Sequence, residues 1–374
     1  MTLKRDLKIH DTDQAFTSDW SLDAFAWARF GRILLGWTTC LLALAFAAIV
    51  FANPYGNLPG ASYSKHVIMD GNQRFQYPAI ARYGPFDSVL IGTSTSGILN
   101  PKVLSEILGG RFANLAMDSA RAWEQWQIAG LFHDNRSRPD TLLVGLDHVW
   151  CDADADQNRV TFRGFPDFLF DNNPWNDWLY VLNSKGLEIS GRRLLHALGK
   201  AAPKISPDGY KVFLPDEALY DIEKVRKNIG PARSTTKSIA PFIPTEQQRS
   251  AWKFPALAWL EIMVSGNWRR VIMFFTPVHV SAMPAPGTEA LAREQECKRQ
   301  VTELAHRQGW PLIDFRISSE ITSHEENYWD PLHYRVPVGH RIIDGIKKAL
   351  SIQQDDPAGD WHMLAAARAQ VSGQ

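Results

Sequence analysis

Two short segments, far apart in the chain, hold the residue types of a serine nucleophile and its proton acceptor. Gly92-Thr93-Ser94-Thr95-Ser96-Gly97 follows directly on the apolar run Ser88–Ile91, and Asp330-Pro331-Leu332-His333 comes shortly before a helix-like segment over 338–350. A glycine ahead of a serine at a strand-to-helix turn lets the chain bend sharply and present the hydroxyl. An aspartate three residues before a histidine can orient the imidazole and stabilise its cation once it has taken the serine proton. Each segment alone is ordinary: Gly, Ser and Thr make turns, and Asp-x-x-His pairs often cap helices. Together they supply a nucleophile, a base and an orienting carboxylate in Ser94, His333 and Asp330.

Bringing these residues together requires a sheet whose strands end at one edge. Five short apolar runs suit buried parallel strands: Ser88–Ile91, Phe112–Leu115, Thr141–Leu146, Val271–Phe275 and Leu312–Phe315. Helix-like segments over 101–108, 121–133, 289–308 and 338–350 alternate with them, with Pro101 suited to a first helical turn. The alternation predicts an open α/β/α sandwich built on a five-stranded parallel sheet. Ligands of such sheets bind outside the carboxyl ends of the strands. Ser119, Asp147, Trp150, Trp329 and Tyr334 all follow apolar runs and become candidates for oxyanion or substrate binding. The aromatic ones suit stacking on a pyranose ring, with packing beside the cleft as the competing role. His148 and His279 read as structural histidines. His324-Glu325-Glu326 lacks a second well-placed histidine, so no metal and no cofactor is expected.

Ile33–Ala52 is twenty residues without a charge, enough at about 1.5 Å per residue to span a hydrocarbon core of roughly 30 Å. Arg29 and Arg32 precede it, with Lys4, Arg5 and Lys8 further back, whereas the next cation after it is Lys65. The excess of cations on one side predicts a cytoplasmic N-terminus and export of everything after residue 52. A signal peptide cleaved after Ala52 is the competing reading; the long polar segment before the run favours a retained anchor. The chain then divides into a cytoplasmic segment over 1–32, a transmembrane helix over 33–52 and a Pro/Gly/Asn-rich linker over 53–85. A catalytic domain over 86–350 follows, carrying an insertion or lid at about 152–269, and a surface helix or tail over 351–374 ends the chain. Forty basic residues balance forty acidic ones, so there is no global field to attract nucleic acid. Of the three cysteines, Cys40 lies in the apolar run; a Cys151–Cys297 disulfide would suit an oxidising compartment, and the spacing leaves the pairing open.

The order of these blocks resembles the SGNH (GDSL-like) hydrolase superfamily. Leu90-Ile91-Gly92-Thr93-Ser94-Thr95-Ser96 is similar to the nucleophile block of its AlgX/AlgJ-like branch of polysaccharide O-acetyltransferases, and the membrane-anchored DltD-like proteins are a more distant likeness. The resemblance covers about residues 85–150 and 270–350. It implies a flavodoxin-like sandwich, Ser94 as nucleophile and Asp330 with His333 as the rest of a triad. It further implies acyl transfer on an exported polysaccharide at a bacterial inner membrane, with the catalytic domain periplasmic and a multi-pass acyltransferase as partner. Two positions depart from the pattern. The family places a glycine in its second block, where Asp118 or Ser119 stands here, and an asparagine donor in its third, where Asp147 stands. An ionised aspartate only accepts hydrogen bonds and would repel an oxyanion. Those departures keep open a second reading, a non-catalytic SGNH-like envelope protein that binds glycan or organises a complex. A secreted lipase-like esterase is a third.

Overall fold

The computed structural model describes residues 20–58, 63, 66–171, 173, 175, 177–230 and 241–368. Lys4, Arg5, Lys8 and Lys65, the 231–240 part of the Pro/Ser/Thr-rich stretch and the end of the tail over 369–374 lie outside the described residues. The chain forms two compact units, one up to Phe51 and one from Ala52 onward.

The first unit is the helix α1, Trp20–Ala52. Residues Ala24–Ala52 are long and apolar enough to cross a membrane, and almost none of that span is buried by the protein itself. A helix that is apolar all round suits a core or a bilayer. The span expected over 33–52 is therefore the second part of a longer helix. Nothing before residue 33 stops it: 20–32 contains no proline, and Arg32 Nε bonds back to the Ala28 carbonyl along the helix (3.3 Å).

The second unit opens with α2, Gln73–Tyr83, in a stretch expected to be linker. Arg74, Tyr77, Ala79 and Ile80 on it are fully buried, so this segment belongs to the domain. It is followed by β1 (Ser88–Ile91), α3 (Ser94–Gly97), α4 (Pro101–Leu108), β2 (Phe112–Asn114), α5 (Ala122–Asp134) and β3 (Thr141–Leu146). The long interval after β3 contains α6 (Asp177–Tyr180), α7 (Ser184–Ala197), α8 (Ile222–Ile229), α9 (Glu246–Ala251) and α10 (Ala256–Val264). The domain closes with β4 (Arg270–Phe275), α11 (Glu289–Gln308), β5 (Leu312–Asp314), α12 (Glu320–Ser323), α13 (Val336–Ile352) and β6 (His362–Ala365). Because α10 packs on α5, the last part of the expected insertion is the crossover helix between β3 and β4.

The sheet order is β2-β1-β3-β4-β5-β6. The first five strands run parallel and are buried, as continuous apolar runs require. The sixth is antiparallel to β5, pairing Leu312 with Ala365 and Asp314 with His362 across an irregularity. The expected five-stranded parallel sheet is thus a mixed six-stranded one, and the expected C-terminal tail supplies the extra strand. Its four residues carry no recognisable pattern; pairing with the edge of β5 is what makes them a strand.

β1 pairs with β2 on one side and β3 on the other, so chain progression reverses direction there. That reversal opens a crevice at the carboxyl ends of β1 and β3. The core beneath it joins Leu90, Leu143, Ile272, Phe274 and Ile313 of the sheet to Ile342, Ile343 and Ile346 of α13. On α13 the buried positions 338, 342, 346 and 349 recur every three to four residues, the spacing of one helical face.

Candidate active site

Ser94 stands where the sheet reverses. β1 ends at Ile91, Thr93 is the N-cap of α3, and Ser94 is its first helical residue. The bend closes tightly because two glycines make room for one side chain. A Cβ on Gly92 would lie 2.4 Å from Ser96 Oγ, and one on Gly145 of β3 would lie 1.9 Å from the same atom. Asn114 at the end of β2 holds the turn from the other side. Its Nδ2 donates to the carbonyls of Gly97 (3.0 Å) and Leu99 (2.9 Å), and its Oδ1 accepts from the Ala116 N–H (3.1 Å).

The loop before α13 carries the other two residues to this point. Ser94 Oγ lies 2.9 Å from His333 Nε2, and His333 Nδ1 lies 2.8 Å from Asp330 Oδ2. The carboxylate opposite Nδ1 fixes the proton there and leaves Nε2 free to accept from the serine hydroxyl. Asp330 Oδ1 accepts from the backbone N–H groups of Leu332 (2.8 Å) and His333 (3.0 Å), so the carboxylate also shapes its own loop. Burial opposes its charge, but the His333 imidazole and those two amides outweigh burial and hold its pKa below the usual carboxylate value. Phe213, from the interval between β3 and β4, packs its ring edge-on to the imidazole at 5.3 Å. Backbone bonds from His279 N–H to the Pro331 carbonyl (2.9 Å) and from Trp329 N–H to the His333 carbonyl (2.8 Å) fix the loop at both ends.

The remaining candidates divide. Asp147 is buried, but both its oxygens are engaged: Oδ2 accepts from the Thr93 hydroxyl and Oδ1 from the Val149 N–H (3.1 Å). It therefore orders the Ser94 turn from β3. Trp150 and Tyr334 are not available for sugar stacking, because both side chains are fully buried. Trp150 Nε1 donates to Gln125 Oε1 of α5 (3.2 Å), and the Tyr334 hydroxyl donates to the Thr95 carbonyl (2.5 Å). The sequence places both rings beside the site, yet the turns that carry them aim the rings inward. Trp329 is half-buried, edge-on to Tyr220 at 5.2 Å. Ser119 is exposed and adopts φ +55°, a left-handed conformation natural to glycine. Ser119 thus stands in a backbone conformation that glycine would favour.

His148 is exposed, and His279 is buried with Nδ1 accepting from the Ser281 N–H (3.2 Å); burial lowers its pKa. His324 pairs with Glu326 on the surface (3.0 Å). Among the described residues no group of three His, Cys, Asp or Glu side chains could hold a metal ion. Cys151, in the turn after β3, is bonded to Cys297 of α11, with Cα atoms 5.7 Å apart. The pairing that spacing left open is thus made, directly behind the Asp147 turn.

Several supporting residues gave no signal in the sequence. Thr95 Oγ1 donates to Thr276 Oγ1 just past the end of β4 (3.3 Å) and sits 3.2 Å from Thr93 Oγ1, linking the Ser94 turn to β4. Arg74 of α2 forms a fully buried bidentate pair with Glu124 of α5 (2.6 and 2.9 Å) and donates to the Asp118 carbonyl (3.2 Å). Lys211 holds the Asp118 carboxylate (2.6 Å). The loop carrying Ser119 is therefore clamped by two cations from outside the sheet. No protein-family model and no curated protein matches this chain, so the geometry carries the functional reading.

Proposed function

We propose that this chain is a membrane-anchored SGNH-type serine acyltransferase or esterase that acts on O-acyl groups, O-acetyl foremost, of a cell-envelope or exported polysaccharide. The observation that carries the reading is the continuous relay from Ser94 Oγ through His333 to Asp330, at 2.9 and 2.8 Å. A binding protein has no need of a serine hydroxyl held within hydrogen-bond reach of an oriented imidazole, and this separation counts against the non-catalytic alternative. The parallel order of β1 to β5 and the reversal at β1 are compatible with the flavodoxin-like sandwich of that superfamily. α1 supports an envelope location, and the Cys151–Cys297 disulfide favours the oxidising side of the membrane, with the domain periplasmic and the N-terminus cytoplasmic.

In this mechanism His333 Nε2 takes the Ser94 proton as Oγ attacks the acyl carbonyl, and Asp330 stabilises the resulting imidazolium. Collapse of the tetrahedral intermediate breaks the ester C–O bond, and the leaving alcohol takes the proton back from His333. The acyl group stays on Ser94 until a water or a sugar hydroxyl, deprotonated by the same imidazole, attacks it. Asp147 donates nothing to the oxyanion, because Thr93 and the Val149 amide occupy it. The donors proposed instead are backbone: the N–H of Ser94, at a helix start where no intrahelical acceptor exists, and the N–H of Ser119. One membrane span is too few to move an acyl donor across a bilayer, so a multi-pass acyltransferase is the proposed partner.

The test is hydrolysis of a chromogenic acetate by the detergent-solubilised full chain. Ser94→Ala is expected to reduce the rate by about 10³-fold or more. Full activity in Ser94→Ala would refute the assignment. Release of acetate to water or to an added oligosaccharide then separates esterase from transferase.

A further inference from the structure

The interval between β3 and β4 leaves an apolar surface that its own fold does not cover. α7 buries Gly186, Ile189 and Ser190 against the domain, but Leu187, Leu194 and Leu198 stand 57%, 63% and 61% exposed. At 100° per residue these three leucines fall within an arc of about 40°, forming a stripe separate from the buried face. Leu179 and Tyr180 of α6, just before α7, are also exposed, at 79% and 52%. Lys200 and Lys204, just beyond the end of α7, are exposed cations. Single exposed leucines need no explanation, but an aligned set on one short helical hairpin marks a surface that something covers.

The hydrogen bonds of α7 indicate what covers it. Arg193 Nη1 donates to the Asn53 carbonyl (2.9 Å), and the Tyr55 hydroxyl donates to Oδ1 of Asn183, the N-cap of α7 (3.0 Å). Asn53 directly follows Ala52, the last residue of α1. A bilayer spanned by α1 puts Asn53 at its surface by covalent continuity, and Arg193 ties α7 to Asn53 within one side chain's length. We infer that the exposed face of α6 and α7 lies in the lipid interface of the membrane that α1 spans. The leucines enter the boundary between headgroups and acyl chains to a depth of about 5–10 Å, with Lys200 and Lys204 at headgroup level. This rests on α1 being a membrane anchor and is independent of the acyl-transfer chemistry.

The experiment uses the full chain in phosphatidylethanolamine/phosphatidylglycerol vesicles. Leu194→Cys and, separately, Lys347→Cys are made in a Cys40→Ser background and labelled with an environment-sensitive fluorophore; Cys151 and Cys297 are bonded to each other and do not react. Lys347 is exposed on α13, which packs on α4, whereas α2 packs on α5. Lipids carrying a nitroxide at the upper acyl chain are expected to quench the label at 194 at least about threefold more than the label at 347. Equal quenching in vesicles that keep the chain through alkaline extraction would overturn the inference while leaving the anchor intact, and would assign the stripe to a protein partner. Loss of the chain on alkaline extraction would remove the anchor and the inference together. Neither result bears on hydrolysis by Ser94, which is assayed separately.

Discussion

Asp330→Asn separates the proton relay from the fold. In the native loop Oδ1 accepts from the Leu332 and His333 N–H groups at 2.8 and 3.0 Å, and Oδ2 faces His333 Nδ1 at 2.8 Å. Asparagine keeps one oxygen and replaces the other with an NH2 group. Turning the oxygen to the two backbone amides preserves the loop and leaves the NH2 facing Nδ1. Two donors cannot face each other, so the imidazole adopts the tautomer with its proton on Nε2, 2.9 Å from Ser94 Oγ. That nitrogen can no longer take the serine proton. The expected loss in kcat/KM on a chromogenic acetate is about 10³–10⁴-fold, or roughly 4–5.5 kcal/mol at about 1.36 kcal/mol per decade. The fold should hardly respond, because the half-exposed Asp330–His333 pair contributes only about 1 kcal/mol or less, a Tm change of about 2–4 °C. Asp330→Ala differs by also removing the acceptor of two backbone amides, and should lower Tm further. A loss in Asp330→Asn below about tenfold, with Tm unchanged, would refute the base assignment.

Three other outcomes follow from the same geometry. Gly145→Ala places a Cβ 1.9 Å from Ser96 Oγ and 2.9 Å from Ser96 Cβ, so rotating the hydroxyl away does not relieve the clash. The expected cost is about 1–3 kcal/mol in thermal unfolding, with a drop in kcat from displacement of the Ser94 turn, and an unchanged rate would mean the turn is not so tightly packed. Cys297→Ser opens a cross-link between positions 146 residues apart and should cost about 2–5 kcal/mol, read as a lower Tm that reductant reproduces in the parent. Burial raises the Asp177 carboxyl to about 7 against the opposing pull of Arg82 and Asn57. The folded state then holds a proton that the unfolded chain, titrating near 4, releases, so stability falls as pH rises from about 4 through about 7. Asp177→Asn should flatten that slope in Tm measured at about pH 5 and about pH 8.

The strands were legible because burial on both faces forces continuous apolar runs, and all five runs became strands with ends moved by no more than a residue. β6 was not, since His362–Ala365 owes its conformation to the edge of β5 and not to its own composition. α2 was hidden by the polar and proline-containing sequence QRFQYPAIARY, whose Arg74 is buried only because Glu124 neutralises it. The grouping of Ser94, His333 and Asp330 could be read because the proposed chemistry calls for those residue types at set places: a serine after β1, and Asp-x-x-His ahead of the last long helix. Substrate contacts could not, because a residue number says nothing of which way a ring turns; Trp150 and Tyr334 are fully buried, the first bonded to Gln125 of α5 and the second to the Thr95 carbonyl of the Ser94 turn. Asp147 stood out in the sequence as an acceptor where the resemblance expects a donor, but its bond to the Thr93 hydroxyl depends on how the two turns meet and left no trace in the sequence.

The central claim is that Ser94 forms a covalent acyl intermediate. Its most direct test is rapid acid quenching of the full chain during turnover of an acetyl ester, followed by peptide mass spectrometry. The account predicts a single acetyl group on the peptide holding Ser94, absent in Ser94→Ala and accumulating when the acceptor is withheld. An enzyme that turns over with no adduct at Ser94, or with one at another residue that Ser94→Ala leaves untouched, would contradict it.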